Sequence, residues 1–112
     1  METQKEYYEV GKGWWPLVEQ TENLVEEWNK NHDEKHQVEY FRYKEKFGLL
    51  DIHCYPYYDE LAQKLIEIER ESCNICEMCG TRENVRRDYT QGWLYTLCDK
   101  CREEKERHLL NR

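Results

Sequence analysis

Hydrophobic positions recur at helical spacing after the first dozen residues. Steps of three and four separate six of them: Leu17, Val18, Thr21, Leu24, Val25 and Trp28. This spacing puts all six on one face of a helix. Because Pro16 suits a first helical turn, we expect a helix from Pro16 to about Asn31. Its opposite face is acidic and is interpreted as solvated; it carries Glu19, Glu22, Glu26 and Glu27.

The pattern changes between residues 37 and 55, which are dense in Val, Ile, Tyr and Phe. An interruption at Lys46-Phe47-Gly48 divides this stretch into two strands and predicts a hairpin. Strand alternation predicts one face with Val38, Tyr40 and Arg42, and another with Glu39, Phe41 and Tyr43.

A second helix is predicted after the turn residue Pro56. We expect Asp59 to cap it and the helix to run to about Glu71. Four residues supply its apolar positions: Leu61, Leu65, Ile66 and Ile68.

The last part of the chain predicts a second hairpin and a third helix. Thr90-Gln91-Gly92 is a turn signal, and the residues from Trp93 to Leu97 favour a strand. The segment after Cys98 is rich in helix formers, with Asp99 in what would be the first turn.

Composition and charge narrow the function classes. The chain has 112 residues and a net charge of −7, and 13% of its residues are aromatic, which is unlike a disordered acidic chain. Residues 1–72 have 9 basic and 17 acidic side chains, whereas residues 73–112 have 8 and 7. No apolar run is long enough for a membrane span, and the N-terminus lacks the pattern of an export signal. We therefore expect a soluble protein of the cytoplasm.

Five of the six cysteines lie in the last 40 residues. Two C-x2-C pairs, Cys76 with Cys79 and Cys98 with Cys101, are separated by 18 residues. In a chain without an export signal, this pattern favours metal over disulfides, and four thiolates suit tetrahedral Zn²⁺. Gly80 follows the second thiolate, where a positive φ turns backbone amides toward sulfur.

Two other cysteines leave an alternative open. Cys73 and Cys76 also form a C-x2-C pair, in which case Cys79 is the spare thiol. We prefer the later pair because only that pair is followed by glycine. Cys54 lies in an apolar run and is interpreted as a small buried hydrophobe.

Together these elements predict an α+β fold. An N-terminal helix, a β-hairpin and a second helix, residues 1–72, are expected to pack on a treble-clef-like zinc finger with a C-terminal helix, residues 73–112. Ser72-Cys73-Asn74 is the junction, and we expect one compact unit.

Catalytic patterns are missing from the sequence. His32 and His36 are four apart, but the intervening glutamate is in the wrong place for a zinc protease. The deaminase pattern, H-x-E before a P-C-x-x-C, is also missing. Because four protein ligands leave no position for a catalytic water, we expect a protein that is not an enzyme.

Six residues are candidates for ligand or partner binding. Aromatic rings and ammonium groups at flexible or turn positions can stack on a base and bind phosphates. The six candidates are Trp14, Trp15, Lys44, Lys46, Phe47 and Trp93. Gly11-Lys12-Gly13 is expected to loosen the backbone before the paired tryptophans. The alternative is that the tryptophans are core residues and that the lysines only make a turn soluble.

The sequence resembles small bacteriophage-encoded zinc-finger proteins of uncertain function. Four motifs in order carry the resemblance: Gly13-Trp14-Trp15-Pro16-Leu17, Lys44-Glu45-Lys46-Phe47-Gly48, Cys76-Glu77-Met78-Cys79-Gly80, and Gly92 to Cys101. It differs at Leu49, where a second glycine is typical, and at Asp51, where a basic residue is frequent. The resemblance implies a phage protein in the host cytoplasm.

Two binding functions follow from these observations. The first is a zinc-stabilised protein that inhibits or sequesters a host defence component, either a protein or a small nucleotide signal. The second is a nucleic-acid-binding zinc finger that uses the basic residues Arg82, Arg86, Arg87, Lys100, Arg102, Lys105 and Arg107. A structural or assembly role in a phage is a further alternative. We expect little or no binding to duplex DNA and no membrane partner, and leave self-association open.

Overall fold

The computed structural model describes residues 9–110 of the chain, with side chains to residue 108. Within these residues there are three α-helices and two separate two-stranded antiparallel sheets, so the expected α+β class is confirmed. In chain order the elements are α1 (Trp15–Lys30), β1 (Tyr40–Lys46), β2 (Leu49–Tyr55), α2 (Asp59–Glu71), β3 (Val85–Thr90), β4 (Trp93–Cys98) and α3 (Asp99–Leu110).

Helix α1 forms as predicted and starts one residue earlier, at Trp15. Four of the six predicted face residues are buried, and the other two, Leu24 and Trp28, are half-buried against the same core. The helix ends where the Asn31 side chain donates a hydrogen bond to the carbonyl of Glu27, at 3.0 Å.

Strands β1 and β2 form the predicted hairpin. A two-residue turn, Phe47-Gly48, joins them, and both turn residues have positive φ. Tyr43, Leu50 and Ile52 are buried on the face toward the core. Val38 precedes β1 and is also buried, so the expectation that it shares a face with Tyr40 is wrong; the Asn29 side chain, rather than a strand, binds its backbone.

Helix α2 covers the outer edge of β2. The backbone amide of Ile52 donates to a carboxylate oxygen of Glu69 at 2.7 Å, and that of Leu50 donates to the Ser72 hydroxyl at 3.0 Å. These bonds satisfy strand amides that would otherwise form an open edge.

Two details of α2 differ from the expectation. Asp59 is the first helical residue, and Tyr58 holds the N-cap position without a side-chain cap bond, so the predicted cap is wrong. The Asp59 carboxylate still favours the helix start through the helix dipole. Ile66 is 41% exposed, although the apolar pattern predicts that it is buried with the rest of the helix face.

The second hairpin, β3–β4, turns at Gln91-Gly92 and leads directly into α3 at Asp99, as predicted. The turn of the first hairpin touches it: the Thr96 hydroxyl donates to the carbonyl of Gly48, and Arg87 Nε donates to the carbonyl of Phe47 at 2.7 Å. The two parts of the chain are therefore in direct contact.

Candidate metal centre

Four cysteine side chains converge in the second part of the chain, residues 73–112. The Sγ atoms of Cys76, Cys79, Cys98 and Cys101 all lie within 4.8 Å of one another, and those of Cys79 and Cys98 are 3.8 Å apart. Three of these residues are buried, and Cys79 reaches the surface. The group can hold one metal ion.

A tight turn positions the first pair. The amide of Gly80 donates to the carbonyl of Cys76 at 2.9 Å, and the amide of Cys79 lies 3.5 Å from the sulfur of Cys76. Gly80 has a φ of +83°, which confirms the expected left-handed backbone. A side chain there would strain the turn.

Strand β4 and helix α3 position the second pair. Cys98 is the last residue of β4, and Cys101 lies in the first turn of α3. The amide of Cys101 lies 3.4 Å from the sulfur of Cys98. Each pair therefore directs a backbone N–H toward one of its sulfurs.

The thiols of the group differ in how readily they ionise. Burial acts to raise the pKa of Cys76, but backbone hydrogen bonds from Cys98, Cys79 and Met78 outweigh it and lower the pKa to about 7. The pKa values of Cys79 and Cys101 are raised, that of Cys101 by burial and the neighbouring thiols. A bound metal ion would hold all four sulfurs as thiolates.

The other two cysteines lie outside the group. Cys73 is exposed, just after α2, and Cys54 is a half-buried residue of β2. Burial raises the pKa of the Cys54 thiol to about 11. The sulfurs that converge are therefore those of the later pair, Cys76 and Cys79, with Cys98 and Cys101.

The segment before α1 packs directly on the first cysteine turn. The amide of Gly13 donates to the carbonyl of Glu77 at 3.0 Å, and the Trp14 indole donates to the carbonyl of Ile75 at 2.9 Å. A Cβ atom on Gly13 would overlap the carbonyl oxygen of Cys76. Gly13 therefore permits a close backbone approach, and the expectation that this segment is loose is wrong.

Arg102 is a structural residue that sequence reasoning missed. It is 3% exposed on α3, and its guanidinium donates to the carbonyls of Arg86 (2.8 Å), Asp88 (3.1 Å) and Tyr95 (3.2 Å). It also donates to the Thr90 hydroxyl at 2.6 Å. These bonds fix α3 to both strands of the second hairpin.

Arg102 consequently cannot belong to an exposed basic patch, which corrects its assignment to the second binding function. Most other residues of that set are engaged. Arg82 pairs with Glu71 at 2.7 Å and Arg107 with Glu103 at 3.4 Å. Arg86 lies 4.0 Å from Asp88, and Lys105 lies 4.5 Å from the centre of the Tyr95 ring.

The six candidate ligand residues do not form one surface. Trp14 is completely buried, so its assignment to an exposed ligand surface is wrong: its ring packs in the core. Trp15 is half-buried, and its indole donates to the carbonyl of Val10 at 3.1 Å.

The remaining four candidates are exposed in different places. Lys44 and Lys46 are exposed on β1, and Phe47 is 67% exposed in the turn that follows. Trp93 is 58% exposed and lies opposite Thr90, on the hairpin face toward α3.

Within residues 9–110, no helix combines the length and the apolar character that crossing a membrane requires. No protein-family model matches the chain, and no curated protein or solved structure has significant similarity to it. The structure itself therefore carries the argument about function.

Proposed function

We propose that the chain is a small, non-catalytic binding protein whose C-terminal part is a treble-clef-like zinc finger. The convergence of the four sulfurs carries the proposal. With Zn–S bonds of about 2.3 Å, the edge of a regular tetrahedron is about 3.8 Å, and the sulfurs of Cys79 and Cys98 are 3.8 Å apart. The order of cysteine turn, hairpin and ligand pair opening a helix is that of a treble clef.

Zinc has a clear structural task in this part of the chain. The buried cluster around the cysteines contains one further apolar side chain, Leu97, with Val85 and Tyr95 packed at its edge. Such a small core contributes little free energy of folding. Zinc binding to four thiolates contributes on the scale of about 10 kcal/mol, which compensates for the missing core.

Four protein ligands also argue against zinc catalysis. A catalytic zinc site keeps one position for water or substrate, whereas these four cysteines fill a tetrahedron. The zinc therefore stabilises the fold, and function is exerted by binding.

A zinc titration read by native mass spectrometry tests the ligand set. The wild-type chain and the matched control Cys73→Ser should each hold one zinc ion, whereas Cys98→Ser should hold it weakly or not at all. If Cys98→Ser kept full zinc content and the wild-type melting curve, the proposal would be wrong. If Cys73→Ser lost zinc while Cys79→Ser kept it, the earlier cysteine pair would be the ligand pair.

The resemblance to phage proteins suggests a target for this binding protein. It would inhibit or sequester a host defence component, either a protein or a small nucleotide signal. The net charge of −8 over residues 1–72 suits a basic protein surface, and the exposed Lys44 and Lys46 suit a phosphate-bearing ligand. Native mass spectra of protein purified from host cells separate the two, because a retained nucleotide and a retained protein differ greatly in mass.

A further inference from the structure

The exposed face of the first hairpin differs in charge from the rest of the acidic first part. Side chains opposite each other across the two strands share a face, and the pairs here are Tyr40 with Tyr55, Arg42 with His53, and Lys44 with Asp51. We call this surface the ribbon face. It consists of Tyr40, Arg42, Lys44, Lys46, Leu49, Asp51, His53 and Tyr55, and the opposite face packs on the core.

The cations of the ribbon face are available to a ligand. Arg42, Lys44 and Lys46 are exposed, and none of them forms an ion pair with any residue that the structure describes. Asp51, the carboxylate of this face, lies with one oxygen 2.9 Å from Nε2 of His53. In a chain with a net charge of −7, three unpaired cations on one strand make a local anion-attracting surface.

Two stacked tyrosines lie at the end of this row of cations. The rings of Tyr40 and Tyr55 are 5.4 Å apart between centroids, with 19° between their planes. They are 57% and 54% exposed. Exposed rings beside a cationic row are the combination that single-stranded nucleic acids use for base stacking and phosphate contact.

We propose that the ribbon face binds single-stranded nucleic acid. Alternate residues of a strand are about 7 Å apart, so Arg42, Lys44 and Lys46 form a straight row of charges along which an extended backbone can lie. The tyrosine rings then stack on bases. The inference rests on the non-catalytic binding function proposed above, gives it a partner other than the host defence component, and uses residues outside the cysteine group.

The same observations disfavour duplex DNA and acidic proteins as partners. Paired bases in a duplex do not present their faces to a ring, so the tyrosines would contribute little to duplex binding. An acidic protein segment would use the cations and leave the two polar-edged rings without a stacking partner. Of these three kinds of partner, only an unpaired nucleic acid uses both the cations and the rings of the face.

Fluorescence anisotropy with labelled oligothymidylate of about 15 nucleotides tests the proposal. A matched oligouridylate, a duplex of equal length and a polyglutamate peptide are measured beside it. Three phosphate contacts on a single strand predict that log K falls with log salt with a slope of about −2, and removal of one lysine should reduce that slope by about 0.7. The oligouridylate arm distinguishes RNA from DNA.

Single substitutions distinguish binding at the ribbon face from non-specific attraction by any exposed lysine. Lys44→Ala and Lys46→Ala should each weaken binding and reduce the salt slope, whereas Lys64→Ala, which removes an exposed lysine of α2, should change neither. Tyr55→Ala should weaken binding roughly 5- to 100-fold through lost stacking, and Tyr55→Phe should keep it. Melting curves confirm that each variant is folded.

Three outcomes would overturn the proposal. These are failure to bind either single strand at low salt, equal or tighter binding to the duplex, and polyglutamate binding as tight as that of the oligonucleotides. Zinc content, measured on the same samples, tests the proposed function independently. Zinc-loaded protein that does not bind oligonucleotides would contradict this inference alone. Protein that binds no zinc would contradict the proposed zinc finger.

Discussion

The two β-hairpins have similar backbones and different means of stabilisation. Each has two antiparallel strands joined by a two-residue turn with positive φ at both positions, Phe47-Gly48 and Gln91-Gly92. The first hairpin packs Tyr43, Leu50 and Ile52 into the main hydrophobic core, whereas the second is surrounded by cysteines and the guanidinium of Arg102.

The hairpins also differ in what their basic residues do. In the second, Arg86 lies 4.0 Å from Asp88 and Arg87 donates to the carbonyl of Phe47, whereas Arg42, Lys44 and Lys46 of the first are exposed without an ion pair among the described residues. The part of the chain with the more acidic sequence thus has the more available cations. A charge count by segment is therefore a poor guide to a binding surface.

Removal of the proposed zinc ion should produce the largest difference in stability between the two hairpins. A zinc chelator should remove hydrogen-exchange protection from the amides of β3–β4, because stabilisation on the scale of about 10 kcal/mol is lost there. Amides of β1–β2 should keep most of their protection, since their core is apolar. Equal loss of protection in both hairpins would show that zinc stabilises the whole chain, and would contradict the view that the two hairpins are stabilised differently.

The Trp14→Ala substitution should affect the apolar part most. It empties a completely buried site and removes the hydrogen bond to Ile75, at a cost of about 3 to 5 kcal/mol in the free energy of unfolding. Urea denaturation measures this loss. Trp15→Ala, at a half-buried position, is the matched control and should cost less.

The Arg102→Met substitution tests the polar support of the second hairpin. Three carbonyls lose a charged donor, which should cost about 1.5 to 3 kcal/mol in stability, and Arg102→Lys should not restore it because an ammonium group lacks the planar fork. Arg107→Met, at an exposed position on the same helix, is the control. Thermal melting of zinc-loaded protein detects the difference; an unchanged melt would mean that α3 is held by the cysteines alone.

Glu69→Gln should have a small, pH-dependent effect on the first hairpin. Burial and nearby Asp51 raise the pKa of Glu69, while the Ile52 amide and His53 act in the opposite direction. A raised folded-state pKa means that this carboxyl destabilises the fold once ionised, with stability lost as pH rises through the folded pKa. The glutamine variant should therefore melt slightly higher at pH 7, and the gain should disappear below about pH 4, the usual glutamate range. A gain that persisted in acid would point to packing instead of charge.

The smallest stability effect is expected on the ribbon face. Lys44→Ala and Lys46→Ala should each change the free energy of unfolding by less than about 0.5 kcal/mol, because both side chains are exposed and unpaired. Urea denaturation checks this. A larger loss would show that the lysines support the hairpin rather than a ligand.

Local patterns predicted most of the secondary structure. The spacing from Leu17 to Trp28, the interruption at Lys46-Phe47-Gly48 and the turn at Gln91-Gly92 each act within a few residues, where periodicity and turn chemistry dominate. The cysteine spacing likewise indicated the four sulfurs that converge. The Asp59 error is local: the helix starts one residue earlier than predicted, so Tyr58 and not Asp59 is its cap. The Trp14 error depends on distant residues, because the cysteine turn covers a side chain that was expected at the surface.

The sequence by itself determined the helices, the hairpins and the group of four cysteines, because those features depend on neighbouring residues and on thiol chemistry. Only the tertiary structure decided which charges are available. Arg102 and Lys44 are both basic residues in polar surroundings in the sequence, yet one is buried among carbonyls and the other faces solvent. The physical reason is that burial and pairing are set by contacts between segments far apart in the chain, such as Gly48 with Thr96 and Gly13 with Glu77.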